Sequence, residues 1–178
     1  MLVLVLLCLQ TASAETPISS CTDINSPGYY NLTQNLTGLK SDAYAYYCIG
    51  IFASDVILDG NGYSLTGPGY GDGIYVSSVS SNVTIENLTV SQYGVGIYLE
   101  SSSNNTITNV TAISNNEGIY LESASDNTIT NVTAIGNDFG IYLESSNNNT
   151  IKDSVLQNNG LVVWESYNNV VENTTVNG

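Results

Sequence analysis

The sequence contains an internal repeat with a period of about 22 residues. A Gly-Ile-Tyr-Val or Gly-Ile-Tyr-Leu segment occurs four times, at residues 73–76, 96–99, 118–121 and 140–143. A degenerate copy, Val-Val-Trp-Glu, follows at residues 162–165. A second unit, rich in Asn, Thr and aliphatic residues, keeps the same period at residues 82–89, 105–111, 127–133, 149–155 and 169–176. Repetition at this length indicates a solenoid, propeller or array, in which each copy buries its apolar face against its neighbours.

The alternation of residues within each repeat predicts β-strand. Ile97, Leu99 and Ile107 alternate with polar or aromatic residues, which is the period-two pattern of a half-buried strand. Asn, Ser, Thr and Gly are weak helix formers, so helix is disfavoured. A leucine-rich repeat needs a helical or 3₁₀ return arm, and a propeller blade needs about 40–45 residues. We therefore predict an all-β fold, a single-stranded parallel β-helix of about five to six coils.

Stacked coils place equivalent residues of successive repeats in columns. Two inward apolar columns are predicted, Ile74, Ile97, Ile119 and Ile141 in one and Val76, Leu99, Leu121 and Leu143 in the other. An outward aromatic column is predicted from Tyr75, Tyr98, Tyr120 and Tyr142. A fourth set has the phase of a corner, where an asparagine ladder can satisfy backbone groups from coil to coil: Asn87, Asn109, Asn131 and Asn173.

Over residues 50–178, these repeats resemble the parallel β-helix repeats of the NosD-like and carbohydrate-binding/sugar-hydrolase families. The segments at residues 21–24, 27–32, 48–49 and 56–62 resemble the start of secreted archaeal surface proteins, especially those of methanogens. The resemblance implies a right-handed helix and a secreted, cell-surface location. It implies no single activity, because the same scaffold carries lyases, hydrolases, adhesins and purely structural proteins.

Residues 1–14 have the pattern of a secretion signal. An almost unbroken apolar run is followed by Ala12-Ser13-Ala14, a small-x-small site of the type that signal peptidases cut. Basic residues are missing from its beginning, so either the true start lies upstream or the segment is not processed in the usual way. No later stretch approaches ~18 apolar residues, so no further membrane segment is predicted. We predict an N-terminal cap at residues 15–49 and the β-helix at residues 50–178.

Cysteine usage favours one disulfide. Removal of the signal would take Cys8 with it and leave Cys21 and Cys48, an even pair in a secreted chain. The alternatives are two free thiols or a two-cysteine metal site, but the chain has no histidine to complete such a site.

The charge of the chain excludes several functions. The net charge is −14, and Lys40 and Lys152 are its only basic residues. Nucleic acid is not expected as a partner, because phosphate binding needs a basic face. Copper handling, which the name of the NosD-like family suggests, needs His, Met or Cys ligands that this chain lacks once the signal is removed and the disulfide has formed.

No constellation of catalytic residues stands out. The resemblance implies that lyases and hydrolases of this fold use clustered Asp together with Arg, Lys or His, and the sequence shows no such cluster. Asp59 lies in an Asp-Gly-Asn-Gly segment, which is typical of a tight turn. We predict that the protein is not an enzyme and that it needs no cofactor.

A row of glutamates follows the aromatic column, namely Glu100, Glu122, Glu144 and Glu165. Two interpretations stay open for these like charges. They can form a solvated edge, because the repulsion between neighbouring carboxylates is weak in water. They can also bind Ca²⁺, which prefers carboxylate oxygens.

Glycosylation signals are frequent in this Asn- and Thr-rich chain. Many of its Asn-x-Ser/Thr sequons arise from composition alone. The better acceptors lie in the leader or in turn segments: Asn31, Asn35, Asn104 and Asn148.

The two ends of the predicted solenoid differ. Residues 15–49 supply a candidate cap, whereas the sequence stops at Gly178 inside a repeat unit. Either this is part of a longer chain, or another subunit covers the last coil. We predict a non-catalytic extracellular structural protein of the cell surface that associates head to tail into a filament, sheath or surface layer. The alternative is a carbohydrate-binding or carbohydrate-active module, in which the tyrosine column stacks on a cell-surface polysaccharide.

Overall fold

The computed structural model describes residues 15–40 and 46–177. The predicted secretion signal, with Cys8, lies outside the described residues. Within the described residues the secondary structure is β-strand, joined by turns and bends. No helix in this part of the chain has the length and apolar character needed to cross a membrane.

The strands of the described residues form two parallel sheets that wind around one core. The thirteen-stranded sheet contains β1 (Thr16–Ile18), β3 (Gly28–Leu32), β4 (Leu36–Thr37), β6 (Val56–Asp59), β7 (Ser64–Thr66), β9 (Thr84–Ser91), β11 (Thr106–Ile113), β13 (Thr128–Thr130), β14 (Thr133–Ile135), β16 (Thr150–Lys152), β17 (Val155–Gln157), β19 (Val170–Glu172) and β20 (Thr175–Asn177). The seven-stranded sheet contains β2 (Thr22–Ile24), β5 (Tyr47–Ile51), β8 (Asp72–Val76), β10 (Val95–Glu100), β12 (Glu117–Glu122), β15 (Phe139–Glu144) and β18 (Leu161–Trp164). Successive coils pair in parallel, which confirms the predicted parallel β-helix.

The register follows the sequence repeat. Ile97 pairs with Ile119, and Ile119 with Ile141, so the first predicted apolar column is continuous and fully buried. The column through Leu99 and Leu121 is equally buried. Both predicted inward columns are therefore confirmed. Each coil buries these side chains only against its neighbours, and this stacking of apolar surface is the main stabilising contribution.

The corners adopt the left-handed backbone region. Asn87, Asn109, Asn131 and Asn173, together with Asp153, have φ angles between 48° and 56°. Asn and Asp tolerate this conformation better than other side chains with a Cβ atom. The predicted corner is confirmed, but the predicted role of its asparagines is wrong. Their amides bond side chain to side chain at the surface, as in the 2.9 Å bond that Asn109 Nδ2 donates to Asn87 Oδ1.

A different asparagine set satisfies the backbone. Asn105, Asn127 and Asn149 are buried, and each Oδ1 accepts the N–H of the residue one coil earlier, at 2.8–2.9 Å. A second inward ladder runs through Asn115 and Asn137 in the same way. Buried backbone N–H groups need hydrogen-bond acceptors. The side-chain oxygens of these two asparagine ladders supply the acceptors at corners from which water is excluded.

Glycine is required where coils approach most closely. A Cβ atom on Gly118 would lie 2.5 Å from the carbonyl oxygen of Gly140 in the next coil. The equivalent glycine one coil earlier, Gly96, meets the carbonyl oxygen of Gly118 at 2.4 Å. The glycine that begins each Gly-Ile-Tyr segment is therefore explained by backbone packing.

Residues 15–49, predicted as a cap, already carry strands of both sheets. β1 pairs with β3, and β2 pairs with β5, so coil stacking begins at the first described strands. The structure joins Cys21 and Cys48 by a disulfide, as predicted. Near the disulfide, Asp23 forms an ion pair with Lys40, and the distance from Asp23 Oδ2 to Lys40 Nζ is 2.5 Å.

Candidate functional site

The outer face of the seven-stranded sheet carries a tyrosine ladder, formed by Tyr47, Tyr75, Tyr98, Tyr120 and Tyr142. Neighbouring ring centroids lie 5.6, 5.7, 5.1 and 5.0 Å apart along the column. The predicted aromatic column is confirmed. Tyr47 adds one more ring to the ladder, although its backbone pairs with Asp72 and Gly50 is the residue that pairs with Tyr75. Because the rings pack against one another, their faces are less available for stacking on a sugar ring.

Three phenols of the ladder each donate a hydrogen bond to a carboxylate of the next coil. Tyr75 donates to Glu100 and Tyr98 donates to Glu122. Tyr120 donates to Glu144 Oε2 at 2.6 Å. These are charge-assisted hydrogen bonds, so the predicted glutamate row is held by the tyrosines instead of standing free in solvent.

Glu165 does not belong to the glutamate row. The last coil is shorter, and Trp164 is the residue that pairs with Glu144. Glu165 falls one position later, at a corner with φ 48°. The degenerate copy at residues 162–165 is thus two residues out of register with the Gly-Ile-Tyr-Leu segments, since Val162, and not Trp164, lies in the tyrosine column.

The surroundings of the ladder oppose ionisation of the phenols. Burial is the largest cause that raises the pKa of Tyr75, Tyr98 and Tyr120, and the hydrogen bond to the neighbouring glutamate raises each pKa further. The phenols therefore stay protonated well above the usual range for tyrosine.

A second acidic column, which the sequence analysis missed, flanks the other side of the ladder. Asp72 and Glu117 lie in one register column, separated by Val95. Burial raises the pKa of Asp72 from 3.8 to about 7, and the charge of Glu117 adds to the effect. The pKa of Glu117 is also raised, mainly by burial. The available signal was the residue before each repeated glycine, which is Asp72, Val95, Glu117 and Phe139 in successive coils.

We expect the Asp72→Asn substitution to stabilise the protein at pH 8 and to have little effect at pH 4. The folded state holds the Asp72 proton more tightly than the unfolded chain does, so stability falls as pH rises from about 4 to about 7. Asparagine does not ionise, so the variant does not lose this stability as pH rises. The partly exposed side chain limits the gain to about 1–3 kcal/mol at pH 8. Thermal melts of both proteins between pH 4 and pH 8 measure it.

The matched control is Asp126→Asn, which removes the same charge from an exposed corner position. This variant is expected to follow the pH dependence of the unsubstituted protein. Equal gains from both variants would mean that net charge, and not the surroundings of Asp72, sets the pH dependence.

Asp59 serves as a turn residue, as predicted. Its Oδ1 accepts the N–H of Asn61 at 2.7 Å, which closes the turn after β6. Burial acts to raise the pKa of Asp59, but hydrogen bonds from Tyr29, Asn61 and Asn87 outweigh it and lower the pKa. The bond to Asp59 is also the largest cause that raises the pKa of Tyr29 to about 12.

Among the described residues, no group of three or more His, Cys, Asp or Glu is arranged to hold a metal ion. Calcium binding by the glutamate row stays a prediction.

The four glycosylation candidates differ in their surroundings. Asn104 and Asn148 are exposed. The side chain of Asn35 accepts the N–H of Ser64 at 3.0 Å, and the Oδ1 of Asn31 is buried. Occupancy of these sequons stays a prediction.

The last described coil exposes residues that are in the core elsewhere. Leu143 pairs with Val163, and Leu156 pairs with Val176. The earlier member of each pair is fully buried, whereas Val163 is 47% exposed and Val176 is 45% exposed. The outer strands β18, β19 and β20 also present a free sheet edge.

A comparison with known protein families identifies the family of this chain. The family described as "Periplasmic copper-binding protein (NosD)" matches residues 34–178. The chain belongs to the NosD family. The predicted NosD-like resemblance is thereby confirmed, and an oxidising compartment outside the cytoplasm agrees with the Cys21–Cys48 disulfide. A search of the curated proteins finds no match to this chain.

Two solved structures resemble this NosD-family chain. An alginate lyase from Paenibacillus sp. str. FPU-7 is 14% identical, with a TM-score of 0.67 over 93% of this chain and 70% of that chain. The A-module of the Azotobacter vinelandii mannuronan C-5 epimerase AlgE6 is 15% identical, with a TM-score of 0.47. This chain spans 56% of the epimerase module, and the match covers 94% of this chain. At such low identities the similarity to the lyase shows the fold alone.

Proposed function

We propose that this protein is a non-catalytic structural β-helix of the cell surface, which associates end to end with further copies of itself. The observation that carries the proposal is the exposed core of the last described coil, where Val163 and Val176 continue columns that are buried in every earlier coil. Apolar core positions and unpaired strand edges together favour pairing with another β-coil.

The first coil matches the last in register, although its core residue Ile24 is 1% exposed. Ile24 lies in the same column as Ile51, Val76 and Leu99, and that column ends at Val163. Stacking β2 of one copy on β18 of another would continue this column across the junction once the residues that cover Ile24 move aside. Such a heterologous contact does not close on itself, so it produces a filament.

The proposal predicts that Val176→Asp weakens self-association by about tenfold or more, because a carboxylate would be buried in an apolar junction. The matched control is Val155→Asp. Val155 is 41% exposed but pairs with Thr175, one position away from the core column. Sedimentation velocity over a range of protein concentrations measures association, and electron microscopy of the native surface material shows whether filaments form.

The results separate the alternatives. Open-ended growth that Val176→Asp abolishes and Val155→Asp preserves supports the proposal. A species that stops at the dimer would indicate a closed contact between two C-terminal coils. Monomers at micromolar concentration would contradict self-association.

A non-catalytic role agrees with the state of the carboxylates. Glu100, Glu122 and Glu144 each accept a hydrogen bond from a phenol, and Asp59 accepts hydrogen bonds from its own turn and from Tyr29. General acid–base catalysis needs a carboxyl group that is free to meet a substrate. The Asp72–Glu117 column is the exception, but no basic residue or histidine accompanies it in its register column.

The residues of this chain do not suit the copper binding that the family description names. Copper prefers imidazole, thiolate and thioether ligands. The chain has no histidine, and its two described cysteines form a disulfide. We expect calorimetric titration of the protein, freed of residues 1–14, with Cu²⁺ or Cu⁺ to show no site of micromolar or tighter affinity. A stoichiometric site of that affinity would prove the expectation wrong.

A second candidate function is binding of a neutral polysaccharide. It is favoured by an open groove of about 310 Å³ along the outer corner of the thirteen-stranded sheet. Amide and hydroxyl groups line it, from Asn87, Asn109, Thr89 and Thr111. Such groups form the hydrogen bonds that fix a sugar chain. Monomers that are depleted from solution by insoluble polysaccharide would favour this function over self-association.

A further inference from the structure

The tyrosine ladder combines two properties that side-chain packing alone does not require. Its rings form an unbroken series from Tyr47 to Tyr142, with centroids 5.0–5.7 Å apart. The first four phenols each have a carboxylate acceptor, and Tyr142 shares Glu144 with Tyr120. Tyr47 donates to Asp23 Oδ1 at 3.1 Å, and the next three tyrosines donate to the glutamate row.

These are the requirements for moving an electron together with a proton. A phenol that loses an electron becomes a strong acid, and it can lose its proton only where an acceptor is already in hydrogen-bond contact. Adjacent rings in van der Waals contact let the electron vacancy pass from one ring to the next. Phenolate is disfavoured along the ladder, so the proton does not leave before the electron does.

We propose that the tyrosine ladder carries one-electron oxidising equivalents along the seven-stranded sheet, with each phenol passing its proton to the carboxylate bonded to it. The substrate is a one-electron oxidant of the chemical class of peroxyl radicals or oxidised metal complexes. The ladder moves the oxidising equivalent away from the point where it is delivered.

One step of the transfer balances as follows. The oxidant takes one electron from Tyr98, the phenol O–H bond breaks, and the proton moves to Glu122. The resulting phenoxyl radical then takes an electron from Tyr120, whose proton moves to Glu144, while the proton on Glu122 returns to Tyr98. Each step leaves one radical and one protonated glutamate, displaced by one coil.

The test delivers the oxidant to one end of the ladder. Phe139 is partly exposed and contacts Tyr142, with ring centroids 5.7 Å apart. Phe139→Cys in a Cys8→Ser chain provides a thiol for a ruthenium tris(bipyridine) photo-oxidant, which a diffusible electron acceptor converts to its oxidising state after a flash. A spin trap captures the radicals, and peptide mass spectrometry maps the adducts.

We expect adducts on Tyr75 and Tyr47, at the far end of the ladder, as well as on Tyr142. Tyr98→Phe keeps the ring but removes the phenol, so it should abolish the distant adducts and preserve those on Tyr142. Glu122→Gln keeps the size of the acceptor but removes its ability to take a proton, and it should have the same effect. Circular dichroism and thermal melts establish that each variant is folded.

The matched control is Tyr29→Phe. Tyr29 forms the same kind of phenol–carboxylate bond, 2.6 Å to Asp59 Oδ2, but lies in the other sheet and outside the ladder. Its loss should leave the adduct map unchanged. Adducts confined to Tyr120 and Tyr142 in the labelled protein without further substitution would overturn the proposal. Distant adducts that persist in both Tyr98→Phe and Glu122→Gln would overturn it as well.

Discussion

Replacement of Asn127 by alanine is expected to lower the free energy of unfolding by about 3 kcal/mol, which corresponds to a fall of roughly 5–10 °C in the melting temperature. Asn127 is 2% exposed, and its side chain serves two backbone groups. Its Oδ1 accepts the N–H of Asn105 at 2.8 Å, and its Nδ2 donates to the carbonyl of Ser102 at 3.2 Å. Alanine leaves both groups buried without a partner. Urea denaturation measures the effect.

The control is Asn109→Gly, at the outer corner. Asn109 also belongs to an asparagine ladder, but it is exposed and its hydrogen bonds run between side chains. Glycine keeps the left-handed backbone of this position without strain, so the expected loss is below about 1 kcal/mol. Equal losses at Asn127 and Asn109 would contradict the division of the asparagines into a buried, backbone-bonding set and a surface set.

Reduction of the Cys21–Cys48 disulfide is expected to destabilise the first coils by about 3–4 kcal/mol, the value that chain entropy predicts for a loop of this length. The effect should be local, because each coil of a solenoid contacts only its neighbours. Hydrogen exchange should therefore accelerate in β1 to β5 and stay unchanged in β11 to β16. A chain that carries Cys21→Ser and Cys48→Ser gives the same comparison without reductant.

Two outcomes would count against this account of the disulfide. Uniform acceleration along the chain would mean that the β-helix unfolds as one cooperative unit. Unchanged exchange in β1 to β5 would mean that the ion pair between Lys40 and Asp23, together with the strand pairing, holds the first coils without the disulfide.

The sequence predicts the columns of this fold well because the period is nearly constant. A residue such as Ile119 is preceded and followed by isoleucine at the same phase, and strand alternation fixes the face on which it lies. The repeat does not predict whether Asn105 and Asn109 are buried or exposed. Both recur with the period, and only the backbone turn at the corner decides that the first points inward and the second outward.

The site was predictable in part for the same reason. The tyrosine column and most of the glutamate row follow from the repeat. The hydrogen bonds between them do not, because the sequence does not show whether a phenol donates to the glutamate of its own coil or to that of the next coil. The misplacement of Glu165 arose from a coil that is two residues shorter than its predecessors, since Ile141 pairs with Leu161 where Ile119 pairs with Ile141. The Asp72–Glu117 column was hidden because Val95 interrupts it.

The near identity of neighbouring corners has a consequence for how such a molecule changes in evolution. The inner asparagine, the repeated glycine and the tyrosine–glutamate pair of one coil match those of the next, so a junction between any two of these coils is chemically equivalent. Unequal recombination between the corresponding stretches of the gene would insert or delete a whole coil. The asparagine-to-backbone and tyrosine-to-glutamate hydrogen bonds across the new junction would already be provided. The length of the rod is thus free to change in discrete steps while its surface stays the same.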